Sequence, residues 1–330
     1  MFLAPDESEL AVADAAAAFA RDAMPITRLH GVDASPDADP ALRERAAESG
    51  WFGLLLPESD DGSGLSSVEH ALFFREVGRC CGPLDLLVQT LAVLTADDAA
   101  LRDELRTGLH GVALAAPDGD SLRLLGARDA TLALVVEPEG ALLLDVADVA
   151  TEERPSLDPA TSMRVITSGT PRTVDAAADE AVWSLGQLGV AAMLVGIAEA
   201  ALDRTVAYAK IRETFGRKIG TYQAVRHACA DMALRAEAAR CQLWSAAAAL
   251  KEGREHAPVH LDAAKHLANR AALANADACI QLHGGIGVTD EYVGAHHFKR
   301  LTCLELQWGD TLHHLGEVSA RMQDTAGVFA

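Results

Sequence analysis

Aromatic residues are scarce, with Phe, Trp and Tyr together making 5% of the 330 residues. A core cannot then be built around large rings. It must come from Ala, Leu and Val, which suits closely packed helices. Positive charge is the second shortage: 28 Lys and Arg stand against 48 Asp and Glu, a net charge of −20. That balance excludes nucleic acid or an anionic membrane surface as the main partner, although a local basic site can still exist. Cysteine is sparse and unpatterned. Cys80, Cys81, Cys229, Cys241, Cys279 and Cys303 contain no C-x-x-C, which argues against zinc or iron–sulfur binding and for free thiols in a reducing compartment. The first ten residues are acidic and lack a basic stretch followed by an apolar one, so no secretory signal is expected. The longest apolar run, Leu185 to Ala201, is broken by Gln187, Glu199 and three glycines. It reads as too short and interrupted to span a bilayer, and the expected location is the cytoplasm.

What is present divides into three stretches. Residues 1–109 carry helical periodicity over Glu7–Arg21, Asp39–Glu48, Ser66–Val77, Pro83–Leu94 and Asp97–Gly108. Pro40 suits a first helical position, and Ser66 with Glu69 forms a capping-box pattern. Residues 110–173 change period. Short β-prone runs at Val112–Ala115, Ala130–Val136, Ala141–Val146 and Met163–Thr167 are separated by Pro-Asp-Gly and Pro-Glu-Gly turns, which predicts a small, mainly antiparallel β unit. Residues 174–330 return to long helices, over Asp179–Arg212, Tyr222–Glu252, Pro258–Leu282 and about Leu306–Asp324. Long helices on short loops predict an antiparallel four-helix bundle. The expected fold is mainly α with a small β domain in the middle.

Two loops of the bundle carry the chemistry. The first is Arg212-Glu213-Thr214-Phe215-Gly216-Arg217-Lys218-Ile219-Gly220, followed by Tyr222-Gln223-Ala224-Val225. It places three cations within seven residues of an acidic chain. An Arg fork suits phosphate oxygens, and a helix N-terminus adds free N–H groups. The same cations also suit a plain helix C-terminus. The second loop is Gln281-Leu282-His283-Gly284-Gly285-Ile286-Gly287-Val288-Thr289. A glycine C-cap explains one or two of its glycines but not Gly287. No strand precedes it, so it is not a Rossmann fingerprint. His296-His297 and His313-His314 are adjacent pairs, which diverge on a helix and chelate poorly, so no metal site is expected. Trp183, Trp244 and Trp308 read as core or interface residues.

The two loops, with Ala230-Asp231-Met232 between them, resemble the acyl-CoA dehydrogenase family. So do Gly50-Trp51-Phe52-Gly53, Pro57-Glu58, Gly62, Gly64-Leu65-Ser66 and Glu76-Val77-Gly78-Arg79. The resemblance implies FAD as cofactor and desaturation of an acyl-CoA thioester between Cα and Cβ. It implies that Arg212 and Gln223 contact FAD, that Phe215 packs nearby, and that Gln281, Leu282, His283, Gly284 and Gly285 lie along its ADP half. In the family these contacts reach FAD held mainly by a neighbouring subunit. The expected partners are thus a second acyl-CoA dehydrogenase-like chain, in a heterodimer or heterotetramer, and an electron-transfer-flavoprotein-like acceptor.

Two departures stand against that pattern. The reaction needs a general base beside Cα, a Glu at one of two places in the family. Here the matching positions are Gly186 and Gly309. The segment supporting the flavin ring is replaced by Leu114-Ala115-Ala116-Pro117-Asp118-Gly119-Asp120. Three readings follow: the base-lacking subunit of a heteromeric enzyme of the kind that attacks steroid side chains; a self-sufficient enzyme using Asp310, or Glu291, as base; or a scaffold without flavin chemistry.

Overall fold

The computed structural model describes residues 5–29, 40–177, 180–289, 292 and 294–326. Helices α1 (Glu7–Ala23), α2 (Pro40–Glu48), α3 (Ser67–Arg79), α4 (Asp85–Thr95) and α5 (Ala99–Arg106) come first. Strands β1 (Val112–Asp118), β2 (Ser121–Gly126), β3 (Leu132–Glu137), β4 (Gly140–Asp145), β5 (Ala150–Glu153), β6 (Met163–Ser168) and β7 (Arg172–Ala177) follow. The long helix α6 (Glu180–Ile211) leads into a hairpin, β8 (Glu213–Thr214) and β9 (Arg217–Lys218), then α7 (Gln223–Lys251), α8 (Ala257–His283), α9 (Gly294–Leu304) and α10 (Thr311–Ala326). The mainly helical fold with a β sheet is the one expected. The expected starts at Asp39 and Asp179 lie outside the described residues.

Two expectations are corrected. The last helix starts at Thr311, not near Leu306, because Trp308 (φ +54°) and Gly309 (φ +98°) break the helix with two successive left-handed residues. The residues before that break form α9, which the sequence did not suggest. The apolar run around Leu185 is also not short. α6 has 32 residues and is long and apolar enough to cross a membrane by length and composition, but 78% of its apolar window is buried inside the protein, as in a core helix.

Packing divides the chain into two compact units, one of Met1–Gly31, Ala71–Cys81 and Gln187–Ala330, the other of Val32–His70 and Gly82–Gly186. These cut across boundaries drawn along the sequence at 109 and 173. In the second unit the sheet order is β5-β6-β2-β1-β3-β4-β7, antiparallel except for the parallel pair β1 and β3. Ala113, Ala115, Leu124, Ala133, Leu144 and Ile166 form its core. α4 is buried from Leu86 to Val93 and at Thr95, and Gln89 Nε2 donates to the carbonyls of Leu105 (2.8 Å) and His110 (3.0 Å). At the start of α3, Glu69 accepts from the Ser66 backbone N–H at 2.9 Å, the return bond of the expected capping box.

In the first unit, α3 crosses α6 with backbones in contact. A Cβ on Gly78 would overlap the Met193 carbonyl, and one on Gly196 would overlap the Arg75 carbonyl. Beside the crossing, Glu199 accepts from Arg75 (Nε, 2.8 Å) and Arg79 (3.0 Å), and Arg79 also reaches Asp203 at 2.6 Å. Burial raises the Glu76 pKa against the pull of Arg75 and Arg79.

A Gly196→Ala substitution therefore has no room. We expect it to cost about 3 kcal/mol in urea unfolding. Gly316→Ala, on an open face of α10 with nothing within 4 Å of a new Cβ, is expected to gain up to about 1 kcal/mol.

Candidate functional site

The first loop is a tight hairpin. Glu213 pairs with Lys218 and Thr214 with Arg217. Its two turn residues, Phe215 (φ +51°) and Gly216 (φ +77°), are both left-handed, the signature of a type I′ turn. Glycine accepts that conformation without cost, but Phe does not. The Phe215 ring gains nothing from packing in return, since it is 98% exposed. The hairpin is pinned from behind: Tyr222 Oη donates to the Thr214 carbonyl at 3.0 Å, and the Arg217 guanidinium lies 4.0 Å over the Tyr222 ring. That Arg217 contact holds the Tyr222 phenol below its ordinary range.

The second loop follows α8 in the same unit. His283, the last residue of α8, stacks on Tyr208 of α6 at 4.2 Å and on Tyr292 at 4.0 Å. Its Nδ1 bonds the Cys279 carbonyl at 2.7 Å, and burial holds its imidazole below the ordinary histidine range. His283 thus faces inward, and Leu282 packs partly buried beside Ala201, Met232 and Cys279. What these two residues can offer a ligand is backbone. Gln281, Gly284 and Gly285 are exposed. The glycines sort by role. Gly287 is buried, and a Cβ there would lie 2.5 Å from the Ile280 carbonyl. Gly284 turns the chain at φ +66°. Gly285 has a negative or extended φ and open space where a Cβ would be, so packing does not require it.

Arg212, Gln223 and Gln281 are exposed and make no side-chain hydrogen bond or ion pair with the described residues. A cavity of about 520 Å³ lies alongside, lined among others by Val206, Lys210, Lys218, Thr221, Arg226 and Cys229. Its three cations also have no ion-pair partner among the described residues. Sequence reading missed Lys210 and Arg226, on α6 and α7, which lie two residues before and one residue after the quoted motif.

The two positions where a base was expected are both glycine within the fold. Gly186 lies buried within α6. At Gly309 the left-handed φ of +98° strains any side chain, and a Cβ would also overlap the His313 ring and lie 2.8 Å from His314 Nε2. Asp310 is exposed and accepts from the backbone N–H groups of Leu312 (2.9 Å) and His313 (2.8 Å). Those bonds, the His313 one first, hold its carboxyl below the ordinary range. Glu291 lies outside the described residues. His314 is 1% exposed and shares Asp262 with Gln187, each contact at 2.9 Å. Among the described residues no group of three or more His, Cys, Asp or Glu is placed to hold a metal.

Residues 6–101 match the acyl-CoA dehydrogenase N-terminal domain and residues 177–323 the C-terminal domain. The chain belongs to the acyl-CoA dehydrogenase family. Acyl-CoA dehydrogenase FadE34 of Mycobacterium tuberculosis is 34% identical over 76% of this chain, which spans 37% of that relative's length. Acyl-CoA dehydrogenase IpdE2 of the same organism is 31% identical, covering 90% of this chain and 91% of its own. A solved structure of the Tcur3481-Tcur3483 steroid ACAD G363A variant is similar with a TM-score of 0.82 and 26% identity, over 97% of this chain and 99% of that one. FAD is the cofactor of this oxidoreductase family, and the outward-facing, unpartnered Arg212, Gln223 and Gln281 with the open Gly285 fit the phosphate-bearing half of such a dinucleotide.

Replacing Phe215 by Asn, which tolerates left-handed backbone and precedes Gly in the favoured turn pair, is expected to stabilise the isolated chain by about 1 kcal/mol. The readout is a higher thermal midpoint than the wild type.

Proposed function

We propose that this chain is the base-lacking subunit of a heteromeric FAD-dependent acyl-CoA dehydrogenase, located in the cytoplasm. The observation that carries this reading is Gly309, where a left-handed backbone that disfavours any side chain, crowded by the rings of His313 and His314, stands in place of the carboxylate that the family places there. When bound, FAD accepts the hydride that leaves Cβ of the thioester. The proton on Cα needs a base, and this reading assigns that base to a partner chain of the same family. This chain contributes Arg212 and Gln223, and the Gln281–Gly285 backbone, to FAD held mainly by the partner. Phe215, exposed at the hairpin tip, is the side chain that assembly would cover.

Asp310 is a poor alternative base. It is committed to two backbone N–H groups at the start of α10, and a carboxylate held below its ordinary pKa range binds a proton weakly. The steroid ACAD at 26% identity supports a steroid-derived acyl group as the substrate class, with an electron-transfer-flavoprotein-like protein as the acceptor.

The test is expression of the chain alone and together with a candidate partner, followed by flavin absorbance and turnover of an acyl-CoA with an artificial acceptor. The chain alone is expected to purify without FAD and without turnover, and the complex with both. In the complex, Arg212→Ala should weaken FAD binding by roughly tenfold to a hundredfold, the worth of a charge-assisted hydrogen bond. Asp310→Asn should leave turnover unchanged, since Asn caps a helix as well as Asp. Stoichiometric FAD in the monomer, or a large loss of turnover in Asp310→Asn, would overturn the assignment.

A further inference from the structure

Arg212, Phe215, Gln223 and Gln281 do not line the cavity beside the hairpin. Its walls are the end of α6, the return strand β9 and the start of α7. Val206, Ala209 and Lys210 come from α6, and Val225, Arg226 and Cys229 from α7. In each set the spacing of three and four residues puts the side chains on one helix face. The chain between the helices is held in place. The Ile219 N–H donates to the Arg212 carbonyl at 2.9 Å, and a Cβ on Gly220 would lie 2.9 Å from the Ala209 carbonyl. The segment after β9 thus runs closely against α6.

Three elements bring Lys210, Lys218 and Arg226 to one space of about 520 Å³. None of the three has an ion-pair partner among the described residues. Nearby carboxylates do not serve them. Asp203 of α6 is held by Arg79 at 2.6 Å. Glu213, opposite Lys218 in the hairpin, makes no ion pair with it. Like charges around one space repel, and nothing among the described residues offsets them. The other side of the lining is apolar, from Val206, Ala209 and Val225. Cys229 adds a thiol whose pKa burial pushes up, so it brings no negative charge near neutrality.

We propose that this cavity is a second anion site, separate from the flavin contacts, and that it takes a nucleoside diphosphate group. Charge sets the head. A carboxylate brings one charge and two oxygens to three cations, whereas a diphosphate is charged at both phosphates and offers each cation oxygens of its own. Volume sets the body. Small-molecule sites run from about 300 to 1,000 Å³, so this cavity holds more than a bare phosphate. Its apolar side suits the faces of a base and the carbons of a sugar. Two sources carry the group: a free nucleotide such as ADP, and the phosphorylated ADP end of coenzyme A. All the lining residues belong to this chain, so the inference does not rest on the heteromeric reading.

Cys229 reports occupancy. The full chain is treated with N-ethylmaleimide, and peptide mass spectrometry reads the rate at Cys229 apart from that at the exposed Cys241. The probes are ADP, desulfo-coenzyme A (which has no competing thiol) and octanoate. At about ten times its half-protecting concentration, either nucleotide is expected to slow modification of Cys229 about tenfold, as occupancy requires. Cys241 should react as before, and octanoate should protect neither. The nucleotide that protects at the lower concentration is the source, and equal protection assigns the ADP group they share. Lys210 and Arg226 are exposed, so Lys210→Gln and Arg226→Gln leave the fold intact. Each should raise the half-protecting concentration of ADP about tenfold, the worth of a charge-assisted hydrogen bond. Arg212→Ala should change it less than about twofold at physiological salt. The proposal is overturned if neither nucleotide protects, if octanoate protects as well as ADP, or if protection survives in the Lys210→Gln, Arg226→Gln double variant. Loss of protection in Arg212→Ala also overturns it, because the ligand would then occupy the flavin site.

Discussion

The first unit depends on the contact between α3 and α6. Gly78 and Gly196 face each other's helix so closely that a methyl group at either would overlap a backbone carbonyl. Helices can approach this far only where the side chains between them are absent or very small. The contact thus accounts for the small residues on α6 around it, Ala191, Ala192, Ala198, Ala200 and Ala201, all buried. Because a helix early in the chain is held against the late bundle in this way, contiguity in sequence and contiguity in packing part company.

Positive charge is distributed by the excess of carboxylates. With 28 cations against 48 anions, most arginines can find carboxylates, and many do. Arg75 and Arg79 converge on Glu199, Arg43 meets Asp129 and Arg102 meets Asp60. Lys210, Arg212, Lys218 and Arg226 are among the cations with no ion pair among the described residues, and they lie close together in the chain fold, at the first loop and the helices that flank it. Cations left unpaired in an acidic chain and gathered at one bundle end form a local positive field in a molecule whose overall field is negative. An anionic group arriving there replaces water, not an existing salt bridge, so no internal contact is given up on binding.

The long helices α1, α7 and α8 were legible within one or two residues, as were β3, β4 and β6, while β1 runs three residues beyond its expected end. What escaped has physical reasons. β5 is exposed along its whole length, so its residues carry no buried face to betray it. β2 interrupts its leucines with Arg123. α9 buries His296, His297 and Arg300, residues that a hydropathy pattern assigns to solvent. On α8 the polar row Asp262, Lys265, His266 and Asn269, which bonds the segment from Glu305 to His314, is hidden in the same way, since polar groups with partners inside the fold look in sequence like an exposed face. The two site loops were legible because glycine and arginine at short spacing have few other uses. The inward turn of His283 was not, because it depends on Tyr208 and Tyr292, which are distant in sequence from one another.

The empty base position and the polar row of α8 are two sides of one constraint. A turn built from Trp308 and Gly309 in the left-handed region needs outside support, and that support comes from groups that fill the space around it: Lys265, donating to the Gly309 carbonyl at 2.9 Å, and His313 and His314 where a side chain would project. Asp310 cannot slide into the vacant role by a shift of one residue. Its carboxylate ends the N-terminus of α10, and moving it would uncap the helix, at a cost of about 1 kcal/mol, while also pulling the Gly309 carbonyl from Lys265. The turn is thus built for holding its own shape, and that structural duty is the physical ground on which the base-lacking role is proposed.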